Sequence, residues 1–462
     1  MWSGLVVACL VCVAAAVVPA SAQSRVIWRR VFSGPGGQNS AFDVAVAPDG
    51  SAIYATGIVI APTDCCEAVE TIAYDPDNGD TLWETRYSGG LGDDVPSDIA
   101  VSPDGATVYV TGATNTSATG ADFLTLALDA SDGAQRWAST FGGSGDRTPE
   151  VAEALAVSPD GHTVVVTGEM EEGTSQRSIP LTIAYDAASG SQRWMRSDPS
   201  ALFGGGRYIR ISPDGADAFV AAQFSENGET SLTRTYAYET AAGNESWRST
   251  FRGGAGGSGP NGIALAPDGS RLYLTATTIT AEGAAGTMAV VSYDASIGAR
   301  VWKRQTPGFK GLGASAASIA VTPDGSTILV GGSTNRFGRR VAAFLWAIDA
   351  AGDPQWRRVH QRSGDVWDAM NSIAVSPDGS RVYLSGNGCP TTFCDGPRAW
   401  LTLAYSLPDG TLQWSARYTG PDADNGESSL AVTPDSTKLV VVGRRYSQTA
   451  DTNSFATIVY AA

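Results

Sequence analysis

Eight copies of one short pattern constrain this chain more than any other feature. They begin at Asp43, Asp98, Ala154, Tyr208, Gly262, Ser318, Ser372 and Ser429, at a period of 54 to 57 residues. The second copy reads Asp98-Ile-Ala-Val-Ser-Pro-Asp-Gly; seven copies end in Pro-Asp-Gly and the eighth in Pro-Asp-Ser. Length alone, 462 residues, would suggest about three domains. A fixed repeat of this size instead points to a solenoid or a propeller. Each unit reads as four strands. The first ends at Pro-Asp-Gly, where Pro presets φ and Gly permits φ > 0. A β-branched strand follows, such as Thr107-Val-Tyr-Val-Thr-Gly112. A third, such as Thr125-Leu-Ala-Leu-Asp129, comes after a variable loop. A second tight turn, Ala130-Ser-Asp-Gly133, leads to a strand carrying Trp137. Alternation with turn signals at this spacing specifies antiparallel sheet.

Tryptophan sets the number of units. Trp28, Trp83, Trp137, Trp194, Trp247, Trp302, Trp356 and Trp414 recur every 53 to 58 residues. Seven follow a glycine by four positions (Gly79, Gly133, Gly190, Gly243, Gly298, Gly352 and Gly410). Trp28 begins a fourth strand without its first three, and Thr457 to Ala462 ends as a third strand without its fourth. The expected fold is therefore an all-β, eight-bladed β-propeller of four-stranded antiparallel blades. Val26 to Phe32 should close it by pairing with the C-terminal blade, which leaves no open sheet edge. A buried tryptophan removes roughly 150–250 Å² from water. At ~25 cal/mol per Å² that is about 4–6 kcal/mol gross for each, an upper bound.

Residues 1–22 carry no charged side chain and end in Pro19-Ala20-Ser21-Ala22. They read as a signal peptide removed after Ala22, with 23–462 as one propeller domain. The apolar run is too short to span a bilayer comfortably. The expected location is outside the cytoplasm, secreted or in the periplasm or cell envelope. The net charge is −16 and lysine occurs only at Lys303, Lys310 and Lys438. That argues against a nucleic-acid partner, because phosphate binding needs clustered cations. The chain is expected to be monomeric.

The pattern Ala-Tyr-Asp-x-x-x-Gly-x-x-x-Trp, at Ala73 to Trp83 and Ala184 to Trp194, resembles the tryptophan-docking repeat of pyrroloquinoline-quinone (PQQ)-type, quinoprotein-like eight-bladed propellers. The stretch Ser88 to Asp94 before Ile99, with Val108-Tyr-Val-Thr-Gly112 after it, is similar to the bacterial SBBP and YVTN propeller repeats. Members of these groups range from dehydrogenases to non-catalytic assembly factors, so the resemblance implies a fold more sharply than an activity.

Short turns all fall on one rim of such a ring and long variable loops on the other, where function on a rigid scaffold belongs. The four cysteines outside the signal segment lie in the loops between second and third strands. They allow three connectivities; a local Cys389–Cys394 bridge is favoured, which leaves Cys65-Cys66 as a vicinal pair. The PQQ resemblance implies that such a pair presses on the cofactor, with Trp367 or Trp400 as a stacking floor and calcium beside it. The calcium-ligand and catalytic carboxylates of those enzymes have no matching motif positions here. Asp94, Asp98, Asp146, Asp365 and Asp368 make the loop rim acidic and could hold calcium through oxygen ligands. Arg210 stands where the other seven units carry alanine and needs an anion or the central channel. His360 heads toward the loop rim, but no nucleophile elbow or zinc spacing accompanies it. The leading expectation is a non-catalytic propeller that binds a protein, glycan or cell-surface partner through its loop rim. The alternative is a PQQ- and calcium-dependent dehydrogenase acting on alcohols or sugars.

Overall fold

A computed structural model of the chain describes residues 25–34, 36–60, 66–90, 92–116, 120–142, 150–171, 177–279, 286–307, 313–336, 340–361, 367–390, 398–419, 426–447 and 451–462. The described residues form strands and turns without any helix. Eight four-stranded antiparallel sheets follow one another, and blades 6 and 7 are also bridged by one parallel pairing, Val341 with Trp367. The innermost strands, blades 1 to 8, are Ser40–Val46, Val95–Val101, Glu150–Val157, Phe203–Ile211, Ser258–Leu265, Ala314–Val321, Trp367–Val375 and Gly426–Val432.

The ends of the chain join as the repeat predicts. Val26–Phe32 pairs antiparallel with Thr452–Ala461 as the outermost strand of blade 8. One apolar cluster then spans blades 8 and 1, joining Trp28, Val440 and Phe455 to Val44, Ile53 and Ile72. The turns close too. A Cβ on the Pro-Asp-Gly glycine of each of blades 2 to 7 would meet the turn proline of the blade before it. Gly50 of blade 1 completes the series against Pro434 of blade 8, at 3.7 Å. Blade 8 carries Ser436 in place of the glycine. Its φ is +61°, and its hydroxyl accepts the Asp378 N–H of blade 7 at 3.0 Å.

Blades are held together by tryptophan. Each of seven indoles lies on the turn glycine of the next blade: Trp28 on Gly79, Trp83 on Gly133, Trp137 on Gly190, Trp194 on Gly243, Trp247 on Gly298, Trp302 on Gly352 and Trp356 on Gly410. A Cβ at these glycines would sit 2.4–2.8 Å from the ring, and all seven have positive φ. Glycine is therefore required twice over, by the backbone and by the indole. Six of the indoles also donate N–H to the carbonyl of the first turn residue: Trp28 to Pro76, Trp83 to Ala130, Trp137 to Ala187, Trp194 to Thr240, Trp247 to Ala295 and Trp302 to Ala350, at 2.8–3.0 Å.

Gly133→Ala and Gly90→Ala separate these two requirements. Both residues have positive φ, but nothing lies within 4 Å of a Cβ at Gly90. The Gly90 variant should carry only the backbone cost of about 1–2 kcal/mol. Gly133→Ala should lose clearly more in urea denaturation, because Trp83 must leave its seat. Equal losses would mean that the docking contact contributes little.

Candidate functional site

Every innermost strand carries a β-bulge at the same register. The inserted residues are Phe42, Ser97, Glu153, Arg207, Asn261, Ala317, Asn371 and Ser428. A bulge re-aims the side chains beside it. Here it lets side chains reach neighbouring blades. The Asp43 carboxylate accepts the Ile99 N–H of blade 2 at 3.2 Å, and Asp98 accepts the Leu155 N–H of blade 3 at 2.8 Å. Burial, and then the charge of Asp43, push the Asp98 carboxyl well above the ordinary carboxylate range. Arg210 is exposed, donates to the Ile209 carbonyl at 2.7 Å and pulls the Asp98 pKa down through space.

The ion cluster of the inner strands forms three residues earlier, at Arg207. Its guanidinium bonds Glu153, one repeat back, and Glu169 at 3.1 Å. Gly204-Gly205-Gly206 makes the approach possible, since a Cβ at Gly206 would stand 1.9 Å from Thr167 Oγ1 of blade 3. Above this seam a cleft of about 270 Å³ opens on the loop rim, lined by Glu169, Arg207, Gln223, Ser225 and Ser231, with Phe203 at its edge. Phe203 is 50% exposed. The segment leading to it is fixed by a buried ion pair, Arg234 to Asp198 at 2.9 Å, and by Tyr236, whose hydroxyl donates to Asp198 at 2.7 Å. Burial works against the Asp198 charge, but donors from Ser200, Tyr236 and Arg234 outweigh it and hold the pKa at about 2. Sequence reasoning missed this group. The available signal was an arginine, Arg234, in a third strand that is otherwise apolar and hydroxylic up to its last residue, Glu239.

Other candidates are placed as follows. Asp94 is buried and accepts the Thr114 hydroxyl at 2.5 Å and the Gly89 N–H at 2.7 Å, so its carboxylate braces its own loop. Asp368 is buried in the innermost strand of blade 7, opposite Gly388. His360 ends the outermost strand of blade 6, opposite Ala343. Trp367 is half-buried where blades 6 and 7 touch. Cys389 is buried at the end of its strand, opposite Trp367. Cys65, Cys394, Asp146 and Asp365 lie outside the described residues.

A PQQ site would need an open aromatic face beside a calcium-ligand set. Trp400 is fully buried against Tyr418, ring centroids 5.3 Å apart, and donates to the Arg444 carbonyl at 3.3 Å. Among the described residues, no three His, Cys, Asp or Glu side chains group as metal ligands. Trp400 therefore offers no open face to a cofactor, whereas Trp367 is half-buried.

Two substitutions test the electrostatics. Asp198→Ala removes the buried partner of Arg234 but leaves the more exposed Glu226 at 2.9 Å, so the loss near neutral pH should fall at the low end of the range for a broken buried pair, about 3 kcal/mol. That contribution is present above the unfolded carboxylate pKa and is lost as pH falls toward about 2. Asp98 has the opposite sign. Its raised pKa makes the folded state costlier as pH rises from the unfolded value to the folded one. Asp98→Asn should therefore gain stability over wild type as pH goes from about 4 to about 7, read by denaturation at each pH. A constant difference would remove the Asp98 assignment.

No curated protein matches the sequence. Solved structures share the architecture at low identity. Sqt1 of Chaetomium thermophilum, bound to the N-terminus of ribosomal protein L10, aligns at TM-score 0.59 and 14% identity, over 95% of this chain and 100% of that one. The Dos1 propeller aligns at 0.56 and 11%, over 95% and 96%. A europium-containing methanol dehydrogenase aligns at 0.54 and 11%, over 96% and 95%. These similarities establish the fold alone. A family model matches residues 68–201 and 180–389. Together with the seven docked tryptophans, that match places the chain in the PQQ-type repeat family described as outer membrane protein assembly factor BamB.

Proposed function

We propose that this chain is an exported, non-catalytic propeller that binds a protein or glycan partner on its long-loop rim, with the cleft between blades 3 and 4 at the centre of the contact. The observation that carries this reading is the half-exposed Phe203 ring beside a small polar cleft, on a segment braced by the buried Asp198–Arg234 pair. A rigid aromatic with amide and hydroxyl groups around it offers an apolar face and directional hydrogen bonds together. Contacts of this composition dominate binding energy, and prior rigidity lowers the ordering cost. Gln223 already donates to the Ser231 hydroxyl at 2.9 Å, so the cleft presents oriented polar groups.

Export follows from the apolar segment 1–22. The expected mature N-terminus is Gln23, which mass spectrometry of protein from the culture medium or cell envelope would identify. Cys389–Cys394 and Cys65–Cys66 are the proposed bridges. Peptide mapping without reductant tests the pairing.

The binding test uses Phe203→Ala combined with Gln223→Ala. Both positions are solvent-accessible, so the thermal transition should move little. Capture of partners from envelope extract and binding to a glycan array should fall at least about tenfold, the effect of losing one aromatic anchor. Unchanged binding would overturn the rim assignment. Stoichiometric uptake of PQQ with calcium, followed by dye-coupled alcohol oxidation, would overturn the non-catalytic reading.

A further inference from the structure

One of the seven tryptophan–glycine docks is built differently. Seven of the indoles are 5–9% exposed, whereas Trp356 is only half-buried. Six donate N–H to a turn carbonyl; Trp356 does not, although it keeps its seat on Gly410 and Arg358 donates to the Gly410 carbonyl at 2.7 Å. Trp414 also lacks an acceptor, but it lies between Tyr383 and Tyr460, at 6.1 and 5.8 Å, and under Arg25. Trp356 alone has no aromatic neighbour among the described residues. The local cause is in the turn. Where other docks present Ala130, Ala187, Ala295 or Ala350, blade 7 presents Leu407, which is buried and packs on Trp356.

Beside this loosened dock lies a cleft of about 510 Å³ on the short-turn rim, between blades 6 and 7. Trp356, Leu407, Pro408 and Pro323 supply its apolar surface, and Asp324, Asp349 and Asp378 its charge. No arginine or lysine lines it, although the Arg358 guanidinium, held by the Gly410 carbonyl, lies 5.4 Å from the Trp356 ring centroid. In two other blades the residue before the docking tryptophan is an arginine that supplies the equivalent turn carboxylate with a cation. Arg136 meets Asp129 at 2.9 Å in blade 2, and Arg193 meets Asp186 at 2.7 Å in blade 3. In blade 6 that position is Gln355, whose amide donates to Asp349 at 2.9 Å and brings no charge. Asp324 and Asp378 stay ionised, because the hydroxyls of Thr322 and Ser376, with backbone N–H donors, hold both below the ordinary carboxylate range.

We propose that this cleft receives an arginine side chain of a partner polypeptide, its stem on Trp356 and Leu407 and its guanidinium among Asp324, Asp349 and Asp378. Three arguments select that occupant. Arginine covers apolar surface with its methylenes while its head stays polar. Its planar fork matches carboxylates and stacks on indole faces. The chain itself fills the corresponding carboxylate position with arginine in blades 2 and 3. The site is on the rim opposite the Phe203 cleft and stands independently of the function proposed there.

The probe is the capped pentapeptide Gly-Gly-Arg-Gly-Gly, compared with the same peptide carrying citrulline, which keeps the shape and removes the charge. The readout is the Trp356 indole N–H resonance of ¹⁵N-labelled full-length protein, assigned with Trp356→Phe. The arginine peptide should shift this resonance saturably and the citrulline peptide should not. Gln355→Arg supplies the missing cation from within and should weaken binding at least about tenfold, on the scale of a well-formed charged pair. Gln413→Arg makes the same change of net charge at the equivalent position of blade 7 and should alter binding less than about twofold, the scale of an exposed charge. An unmoved indole resonance, equal shifts with citrulline, or equal weakening by the two arginine variants would each overturn the proposal. Wild-type binding by Gln355→Arg would do so as well.

Discussion

The contact of one blade's indole with the next blade's turn glycine is the constraint on which this ring depends. It is short-range and steric, and it tolerates no side chain at the glycine, since a Cβ there would fall 2.4–2.8 Å from the ring. It is also directional, because in six docks the indole N–H reaches the carbonyl at the start of the same turn. Such a contact cannot be satisfied within a single blade. Each outermost strand needs the following blade, so the series is complete only when the last blade meets the first. Trp28 shows the consequence: it belongs to blade 8 by pairing, begins the described chain, and docks on Gly79 of blade 1. Where the chain ends and no turn glycine exists, Trp414 is held by Tyr383, Tyr460 and Arg25 instead.

The same economy explains why net charge says little about binding here. Many of the carboxylates are turn components. In the Pro-Asp-Gly turns and the Pro-Asp-Ser turn of blade 8, Asp104, Asp160, Asp214, Asp324, Asp378 and Asp435 each accept a serine or threonine hydroxyl two residues earlier and a backbone N–H two residues later. These donors lower their pKa values, and Asp435 falls to about 2. Asp94 is likewise committed to its own loop. A residue count registers each such charge as wholly available for binding, although one oxygen of each is already committed to its turn.

The architecture was legible because it rests on spacing. Tryptophan, glycine and Pro-Asp-Gly recur at one period, and the two incomplete ends complement each other in sequence as they do in space. The site was less legible because the same spacing does not report direction. Trp400 lies outside the repeat and drew attention for that reason, but it fills the seam between blades 7 and 8. Arg210 interrupts a run of alanines, yet the arginine that meets two carboxylates is Arg207. Nothing in a one-dimensional pattern marks position 207 as a bulge, and the bulge is what brings Arg207 to Glu153. The Asp198–Arg234 pair joins residues 36 apart whose meeting depends on how the segment before Phe203 folds back over blade 4.

The bulge also separates what the repeat must keep from what it can vary. The residues from the second position after it are nearly invariant from blade to blade within this chain: an aliphatic residue, then alanine in seven of eight, then another aliphatic. They face neighbouring sheets and must interlock. The inserted residue has no paired partner in the next strand, so its side chain is not fixed by cross-strand packing. Its identities (Phe, Ser, Glu, Arg, Asn, Ala, Asn and Ser) span almost every chemical class. A ring of eight such positions can acquire charge, amide or aromatic groups without disturbing the docks. Blades 3 and 4, with Glu153 and Arg207 one repeat apart, are where that freedom produced an ion pair beneath the Phe203 cleft. Chemistry that varies between blades thus sits on backbone that the tryptophan contacts hold constant.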